Sequence, residues 1–435
     1  MRVISYLNMH RARLGYVNCV LLAADVQLDT AASLRRRLEK LLFENIVFTG
    51  SSEFGEFSSF IDPGKWTELA AMTERRSLRK SKTVRRGVLP PSLSISGAET
   101  DRPTLDVYAP ADLWLAQREM RSSLGRLLPE YADEPIELAK DLCLLSQSYA
   151  LTEFGNVLKG FLLKRFGDTL SLRAAPNPLD VYGSLPERIL YLYALLSADA
   201  LFPAMLDHIV ASGSTSKSLV GALDRVLAHT ENSVRLDEVN QLKNISKLRT
   251  RLEKEPVDKA QRVPRLEFMV DLGLLERVSD KEKGESQYAT TDAAHRFVAA
   301  FQDLLKSPNT LDSWLDHNFF SAAAAVYDIP VSRPHDEMLT LLYFVRGAAH
   351  LGRRMGFIPG RAASIAGSIL ALSDGYKVEV ADLFRCAYNL PKTQWSQFVK
   401  FSGGSRLDNE FLVAIDPLLE AKLRAAIPHS GPSTT

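Results

Sequence analysis

Apolar residues recur every three or four positions along most of this 435-residue chain, which is the spacing of amphipathic helices. Residues 104–211 and residues 307–427 carry this pattern with few interruptions, so each region is expected to form a helical domain. A further amphipathic helix is predicted in "DTAASLRRRLEKLLFE", where Asp29 or Thr30 can cap the first turn. The pattern therefore predicts a mainly α protein.

Two short runs near the start of the chain depart from the helical spacing. The segments "GYVNCVLL" and "NIVFTG" are rich in Val and Ile, which is typical of buried strands. They flank the amphipathic helix described above. Residues 1–73 are therefore expected to form a small mixed α/β domain.

The stretch from Arg262 to Val298 combines helical and strand patterns within a short length. It predicts a helix that starts near Val263 or Pro264, because proline is tolerated only in the first turn. Gly273 follows at a position that favours a left-handed C-cap. The run "SDKEKGES" then predicts a turn between two strands, and Thr291 is expected to cap a closing helix.

This order of helix, hairpin and helix resembles the winged-helix family over roughly residues 258–303. The resemblance implies a recognition helix followed by a β-hairpin wing. It leaves open whether the unit contacts DNA or RNA, or has a structural or partner-docking role. The residues that carry the resemblance are Leu266, Leu272, Gly273, Leu274, Leu275, Tyr288, Thr291 and Ala294.

The expected protein is thus a helical multidomain chain with an embedded winged helix and a small N-terminal α/β domain. A Pro-, Ser- and Gly-rich stretch near residues 87–103 has the composition of a linker. The predicted divisions are a mixed domain at 1–73, a basic arm and linker at 74–103, a helical domain at 104–211, a winged-helix domain at 212–306, a C-terminal helical domain at 307–427 and a disordered tail at 428–435.

Charge is almost balanced over the whole chain, with 53 Lys and Arg residues against 52 Asp and Glu residues. That balance argues against a protein that coats nucleic acid nonspecifically, but local patches can still bind it. Bases cluster in the arm, around the predicted recognition helix and wing, and before the final helical segments. The predicted nucleic-acid-binding residues are Arg75, Arg76, Arg79, Lys80, Lys82, Arg85, Arg86, Lys259, Arg262, Arg265, Lys281, Lys283, Arg353 and Arg354.

Each of these charge clusters also has an ordinary structural interpretation. The arm could be a solvated linker, and the bases beside the winged helix could be a solvated helix face with ion pairs. The basic residues between Arg346 and Arg361 could form salt bridges between helices, with the nearby acids Asp336 and Glu337 as partners. The sequence leaves these alternatives open.

No catalytic or metal-binding pattern stands out. The eight histidines lack the spacing of metal ligands, and neither a nucleophile elbow nor a P-loop is present. Three widely separated cysteines are expected to be reduced core thiols of a cytoplasmic protein. No segment approaches the ~18 consecutive apolar residues of a membrane span. We therefore expect no enzyme activity, no cofactor, no metal and no membrane partner.

Together these patterns indicate a non-catalytic nucleic-acid-binding subunit, with DNA as the expected ligand. Such a subunit would belong to a multi-protein bacterial assembly, for example one in antiviral genome defence or DNA processing, and would have other protein subunits as partners. The alternative is a protein–protein adaptor whose winged helix docks a catalytic partner.

Overall fold

The computed structural model describes residues 4, 14–24, 30–42, 133–166, 181–213, 224, 255–279, 286–306, 311–334, 336–352, 357–402 and 411–427. This part of the chain is mostly helical, which confirms the mainly α prediction. The predicted domain divisions stay predictions.

The described helices differ in length from one to nearly five turns. Their bounds are α1 (Leu14–Ala23), α2 (Ala31–Leu42), α3 (Asp133–Asp141), α4 (Glu153–Phe166), α5 (Leu185–Ala198), α6 (Leu201–Ser212), α7 (Glu255–Asp271), α8 (Asp292–Ala300), α9 (Gln302–Lys306), α10 (Leu311–Val326), α11 (Glu337–Gly352), α12 (Gly360–Ser373), α13 (Val380–Asn389) and α14 (Leu418–Ala426). Short 3-10 turns occupy Leu390–Lys392 and Ser396–Phe398.

Five strands form two small antiparallel sheets among the described residues. Their bounds are β1 (Leu275–Ser279), β2 (Ser286–Thr290), β3 (Ile358–Pro359), β4 (Val399–Ser402) and β5 (Leu412–Ile415). The first sheet is the β1–β2 hairpin, in which Leu275 lies opposite Thr290. The second has the order β3–β5–β4, so β4 lies at an edge, and Val399 lies opposite Ile415.

Buried side chains from Ile4 to Leu423 belong to one hydrophobic core. Helices α11 and α12 cross at its centre, where a Cβ on Gly347 would lie 2.1 Å from the Ala363 carbonyl oxygen. Only glycine allows this approach, so the small residues of "GRAASIAGSILALS" let two backbones pack directly. The C-terminal sheet and α14 pack onto α11, so both rest on the central pair of helices.

The predicted strand "GYVNCVLL" is wrong, because these residues lie within α1. All of α1 except Tyr16 is buried, so apolar residues surround the helix and leave no polar face. A continuous apolar run of this length does not distinguish a buried helix from a buried strand. The second predicted strand, "NIVFTG", lies outside the described residues. The amphipathic helix is confirmed as α2, and the Thr30 hydroxyl accepts a hydrogen bond from the Ser33 N–H at 3.1 Å.

The helix, hairpin and helix between Glu255 and Ala300 occur in the predicted order. Gly273 has a φ of 74°, as a left-handed C-cap requires, and the Thr291 side chain caps α8. The predicted start near Val263 or Pro264 is wrong, because α7 is a 17-residue helix that contains Pro264 in its interior. Burial of its C-terminal half stabilises α7 despite the missing N–H of that proline. Membership of the winged-helix family stays a prediction.

An ion pair lies at the centre of the contact between α7 and the α5–α6 corner. Arg265 donates from Nε to Asp199 Oδ2 at 2.7 Å and from Nη2 to Asp199 Oδ1 at 3.0 Å, and both side chains are 0% exposed. Asp199 ends α5 and accepts the N–H of Leu201, the first residue of α6. The bidentate pair therefore fixes α7 against the corner between two helices.

The same pair holds an N-terminal segment by its backbone. Arg265 donates to the Ile4 carbonyl oxygen at 2.9 Å, and the Ile4 N–H donates to Asp199 at 3.4 Å. A second acid of α7, Asp271, accepts the N–H of Leu14 at 2.9 Å and so caps α1. Polar residues of α7 thus bind main-chain groups that would otherwise be buried without partners.

We predict that Arg265→Met lowers the free energy of unfolding by about 3–5 kcal/mol, because it leaves the Asp199 carboxylate buried without a counter-charge. Urea unfolding followed by circular dichroism measures the change. The control is Arg424→Met, which removes a partly exposed pair with Glu420 and should cost about 1 kcal/mol or less.

A double variant tests whether the two charges act as a pair. Arg265→Met combined with Asp199→Asn should lose less stability than the sum of the two single variants. The double variant removes both charges, so no buried charge is left without a partner. Additive losses would show that the two residues stabilise the fold independently.

Candidate nucleic-acid interface

The predicted recognition helix lies inside the protein. All eight residues from Pro264 to Asp271 of α7 are buried, so no face of this half of the helix is open to a DNA groove. Arg265 is a predicted nucleic-acid-binding residue, and for this residue the prediction is wrong. Its guanidinium binds Asp199 and Ile4 in the interior and has no access to a phosphate.

The remaining predicted residues fall into two groups. Arg262 lies in α7 and is partly buried, and Lys259 lies one turn earlier on a part of the helix whose side chains are not described. The others lie outside the described residues, namely Arg75, Arg76, Arg79, Lys80, Lys82, Arg85, Arg86, Lys281, Lys283, Arg353 and Arg354. Their contribution to binding stays a prediction.

Arginines near the last predicted cluster form salt bridges between helices. Arg346 on α11 binds Asp374 at the end of α12, and Asp374 also accepts the Tyr343 hydroxyl at 3.1 Å. Arg361 on α12 binds Asp316 on α10 at 2.8 Å. Salt bridges between helices therefore form at Arg346 and Arg361, but with Asp374 and Asp316 and not with the predicted Asp336 and Glu337. Each arginine and its acid are far apart in sequence.

A buried polar cluster joins α1, α4 and α5. Glu187 is 0% exposed, and its two oxygens accept from Asn18 at 2.8 Å and from Arg165 at 2.9 Å. The Tyr191 hydroxyl donates to the Asn18 side-chain oxygen at 2.7 Å. Burial raises the pKa of Glu187, and Arg165 opposes that rise. Because its hydrogen-bonding atoms face one another, the cluster fixes three helices and does not present a group to a substrate.

A second buried acid lies against the middle of a helix. Glu379 accepts the N–H of Phe320 at 3.0 Å and the N–H of Ser321 at 2.7 Å, and both donors lie within α10. The carboxylate thus links the start of α13 to the middle of α10. Burial raises the pKa of Glu379, and the hydrogen bonds from Ser321 and Phe320 oppose the rise.

The most distinctive described surface combines aromatic rings with lysines. We call it the lysine–aromatic surface, and it consists of Tyr388, Lys392, Trp395, Phe398, Lys400 and Lys422. Its three lysines are exposed, Tyr388 is 49% exposed, and the other two rings are partly exposed. It therefore offers both positive charge and ring faces to solvent.

Two of the three lysines lie close to rings of this surface. Lys422 Nζ lies 5.2 Å from the Phe398 ring centroid, and Lys392 Nζ lies 5.8 Å from that of Tyr388. The Trp395 and Phe398 rings are 6.5 Å apart. Such cation–π contacts place the ammonium groups beside the rings in a defined arrangement.

Local backbone bonds hold the segment in place. Helix α13 ends at Asn389, and buried Leu390 begins a 3-10 turn that contains Pro391. The Thr393 hydroxyl donates to the Leu390 carbonyl at 2.8 Å and also accepts the N–H of Trp395. The Phe398 carbonyl accepts the N–H of Asp416 at 2.8 Å. The segment between α13 and β4 is therefore fixed at both ends.

Charge pairing distinguishes these lysines from neighbouring arginines. On α13, Arg385 lies 3.5 Å from Asp382, and on α14, Arg424 lies 2.7 Å from Glu420. By contrast, none of the three surface lysines forms an ion pair with a described carboxylate. The three lysines therefore have no direct acidic partner among the described residues.

The sequence contains a signal for this surface that a search for runs of bases overlooks. In "YNLPKTQWSQFVKF", residues 388–401, four aromatic residues alternate with two lysines. The third lysine, Lys422, comes from a later helix, and only the fold brings it next to Phe398. Interleaving of aromatic and basic residues is the pattern of single-strand binding surfaces.

The described residues contain neither a metal-binding cluster nor a single membrane-spanning helix. No group of three or more His, Cys, Asp or Glu side chains there is arranged to hold a metal ion. No single described helix is both long and apolar enough to cross a membrane. Helices α5 and α6 together have the required length and apolar composition, but they meet at a bend of 105°.

Comparisons of the chain with protein-family models, with curated proteins and with solved structures found no match. The function must therefore be inferred from the chemistry of the residues themselves.

The raised pKa of Glu379 predicts a pH-dependent contribution to stability. This contribution is fully present below about pH 4.5, the ordinary pKa of the group, and is lost as the pH rises through the raised value. The Glu379→Gln variant lacks the titrating group. The unfolding free energy of the wild type minus that of the variant should therefore fall as the pH rises from about 4 to 8.

Urea unfolding at several pH values measures this difference. Glu420→Gln is the control for loss of a carboxylate that lies in a partly exposed pair. A difference that grows with pH would mean that the two backbone hydrogen bonds outweigh burial and lower the pKa of Glu379.

Proposed function

We propose that this protein is a non-catalytic nucleic-acid-binding subunit of a multi-protein bacterial assembly, such as one in antiviral defence or DNA processing, with DNA as its ligand. The observation that carries the proposal is the lysine–aromatic surface, which has three exposed lysines without a described acidic partner, two of them beside aromatic rings. The surface suits a single strand, whose bases are free to stack.

The lysines favour a polyanion over a protein as the ligand. Aromatic residues are common in both kinds of interface, but lysine is depleted in the cores of protein–protein interfaces. A lysine that contacts a phosphate releases counterions, which contributes favourably to binding. Stacking on a ring such as Trp395 adds about 1–3 kcal/mol per base and tolerates any base. The expected binding is therefore strong at low salt and weakly sequence-specific.

In this proposal the helix–hairpin–helix unit supports the fold and does not read DNA. Burial of Pro264–Leu272 supports that role, because a recognition helix must expose one face to the groove. The seven basic residues of the arm, within residues 75–86, remain a proposed second contact with phosphates. The arm and the lysine–aromatic surface are independent contributions, so their effects can be separated by mutation.

We predict that a variant with Lys392→Gln, Lys400→Gln and Lys422→Gln binds single-stranded DNA more weakly. The slope of log K against log salt should become less steep by about 2, from three lost phosphate contacts at ~0.7 each. Fluorescence anisotropy with labelled oligothymidine across a salt series measures the slope. The control is Arg385→Gln with Arg424→Gln, which removes two arginines that already have acidic partners.

Trp395→Ala tests the aromatic part of the surface separately. It should cost about 1–3 kcal/mol in single-strand affinity and leave the salt slope unchanged, because it removes stacking but no charge. Duplex DNA should be much less affected, since its bases are already stacked.

A variant in which the seven basic residues of 75–86 are replaced by neutral ones distinguishes the contribution of the arm to DNA binding from that of the lysine–aromatic surface. If only this variant loses DNA binding, the lysine–aromatic surface is not the interface. If the wild type binds no nucleic acid even at low salt and purifies in fixed ratio with another protein, the adaptor alternative replaces the proposal.

A further inference from the structure

An arginine in the first turn of α5 lies between two tyrosine rings. The Arg188 Cζ atom is 5.0 Å from the Tyr182 ring centroid and 4.7 Å from the Tyr327 ring centroid. Tyr182 precedes α5, and Tyr327 immediately follows α10, so the fold brings the two rings together around the guanidinium. This three-residue stack is separate from the lysine–aromatic surface.

Two hydrogen-bond donors of the stack have no acceptor in the part of the chain that the structure describes. Arg188 Nε and the Tyr327 hydroxyl are both buried, and neither has a hydrogen-bond partner among the described residues. No described carboxylate forms an ion pair with Arg188. Buried polar atoms normally have partners, and an arginine without an acid is a strong donor for an external anion.

Neighbouring groups fix the orientation of the stack. A Cβ on Gly273 would lie 2.7 Å from the Tyr182 ring and 3.4 Å from Arg188 Nη1, so the ring packs directly on the backbone after α7. Gly273 also has a positive φ, and any side chain there would be strained as well as displace the ring. The stack is therefore held by the same helix–hairpin junction that resembles a winged helix.

The chemistry of these residues defines the ligand. The fork of N–H donors on a guanidinium matches the oxygens of an anion, and Arg188 Nε has no acceptor among the described residues. The Tyr327 hydroxyl, like any tyrosine hydroxyl, keeps its proton at neutral pH and can donate, and burial raises its pKa further. Arg188 also lies at the positive end of the 14-residue helix α5, which favours an anion.

We propose that Arg188 and Tyr327 form a binding site for a phosphate group, with Tyr182 as a wall of the site. The phosphate can belong to free inorganic phosphate or to a phosphate monoester. A tetrahedral oxyanion can accept from the guanidinium edge and from the hydroxyl at the same time. The site requires no DNA binding elsewhere on the protein, so it does not depend on the proposed function.

Isothermal titration calorimetry of the full chain tests the site, with inorganic phosphate, thymidine monophosphate and acetate as separate ligands in constant salt. Saturable phosphate binding is expected, together with weaker acetate binding. Tighter binding of thymidine monophosphate than of phosphate would identify a monoester as the source, and equal binding would identify free phosphate.

Two conservative variants assign the binding to these residues. Arg188→Lys keeps the charge but loses the fork, and should weaken phosphate binding by about tenfold. Tyr327→Phe removes only the hydroxyl and should weaken binding several-fold. Arg385→Lys on the surface of α13 is the matched control and should bind as the wild type does.

Thermal unfolding of each variant shows that it is folded before it is titrated. The proposal is overturned if the folded wild type shows no saturable heat with phosphate or thymidine monophosphate. It is also overturned if Arg188→Lys and Tyr327→Phe both bind phosphate with the affinity of the wild type.

Discussion

The buried ion pair between Arg265 and Asp199 is the interaction on which the rest of the described structure depends. It fixes α7 against the corner between α5 and α6, and it binds both backbone groups of Ile4. Taking two charges out of water is costly unless geometry and hydrogen bonds are favourable, and here two Arg265–Asp199 hydrogen bonds and the Ile4 contacts offset that cost. The pair therefore gives a specific arrangement to segments that are far apart in the chain.

This arrangement divides the basic residues into two kinds. Arg265, Arg165 and Arg361 bind acids from other elements and so hold helices together. Lys392 and Lys422 of the lysine–aromatic surface contact rings, and none of its three lysines forms an ion pair with a described carboxylate. Arg188 is a third case, since it is stacked between rings but has no described acid. A basic residue that has no acidic partner in the fold can bind an external anion. The presence or absence of such a partner therefore matters more here than the number of basic residues.

Local sequence signals predicted much of the fold. Thr30 and Thr291 cap helices and Gly273 is left-handed, as expected, because each property depends on a few neighbouring residues. Burial was harder to predict, since it depends on what covers an element. The apolar run in α1 forms a helix, and Arg265 faces a carboxylate 66 residues away in sequence. The lysine–aromatic surface is not a run of basic residues, because aromatic residues separate its lysines over residues 388–401, and Lys422 joins it only through tertiary packing.

The proposed function requires that single-stranded DNA contact the lysine–aromatic surface and that α7 have only a structural role. Ultraviolet cross-linking to a strand that carries bromodeoxyuridine, followed by mass spectrometry of the peptides, tests it most directly. The expected cross-links lie between Tyr388 and Phe398, on exposed or partly exposed rings, with none between Pro264 and Leu272. Cross-links confined to α7 and the β1–β2 hairpin, with none between residues 388 and 402, would contradict the claim.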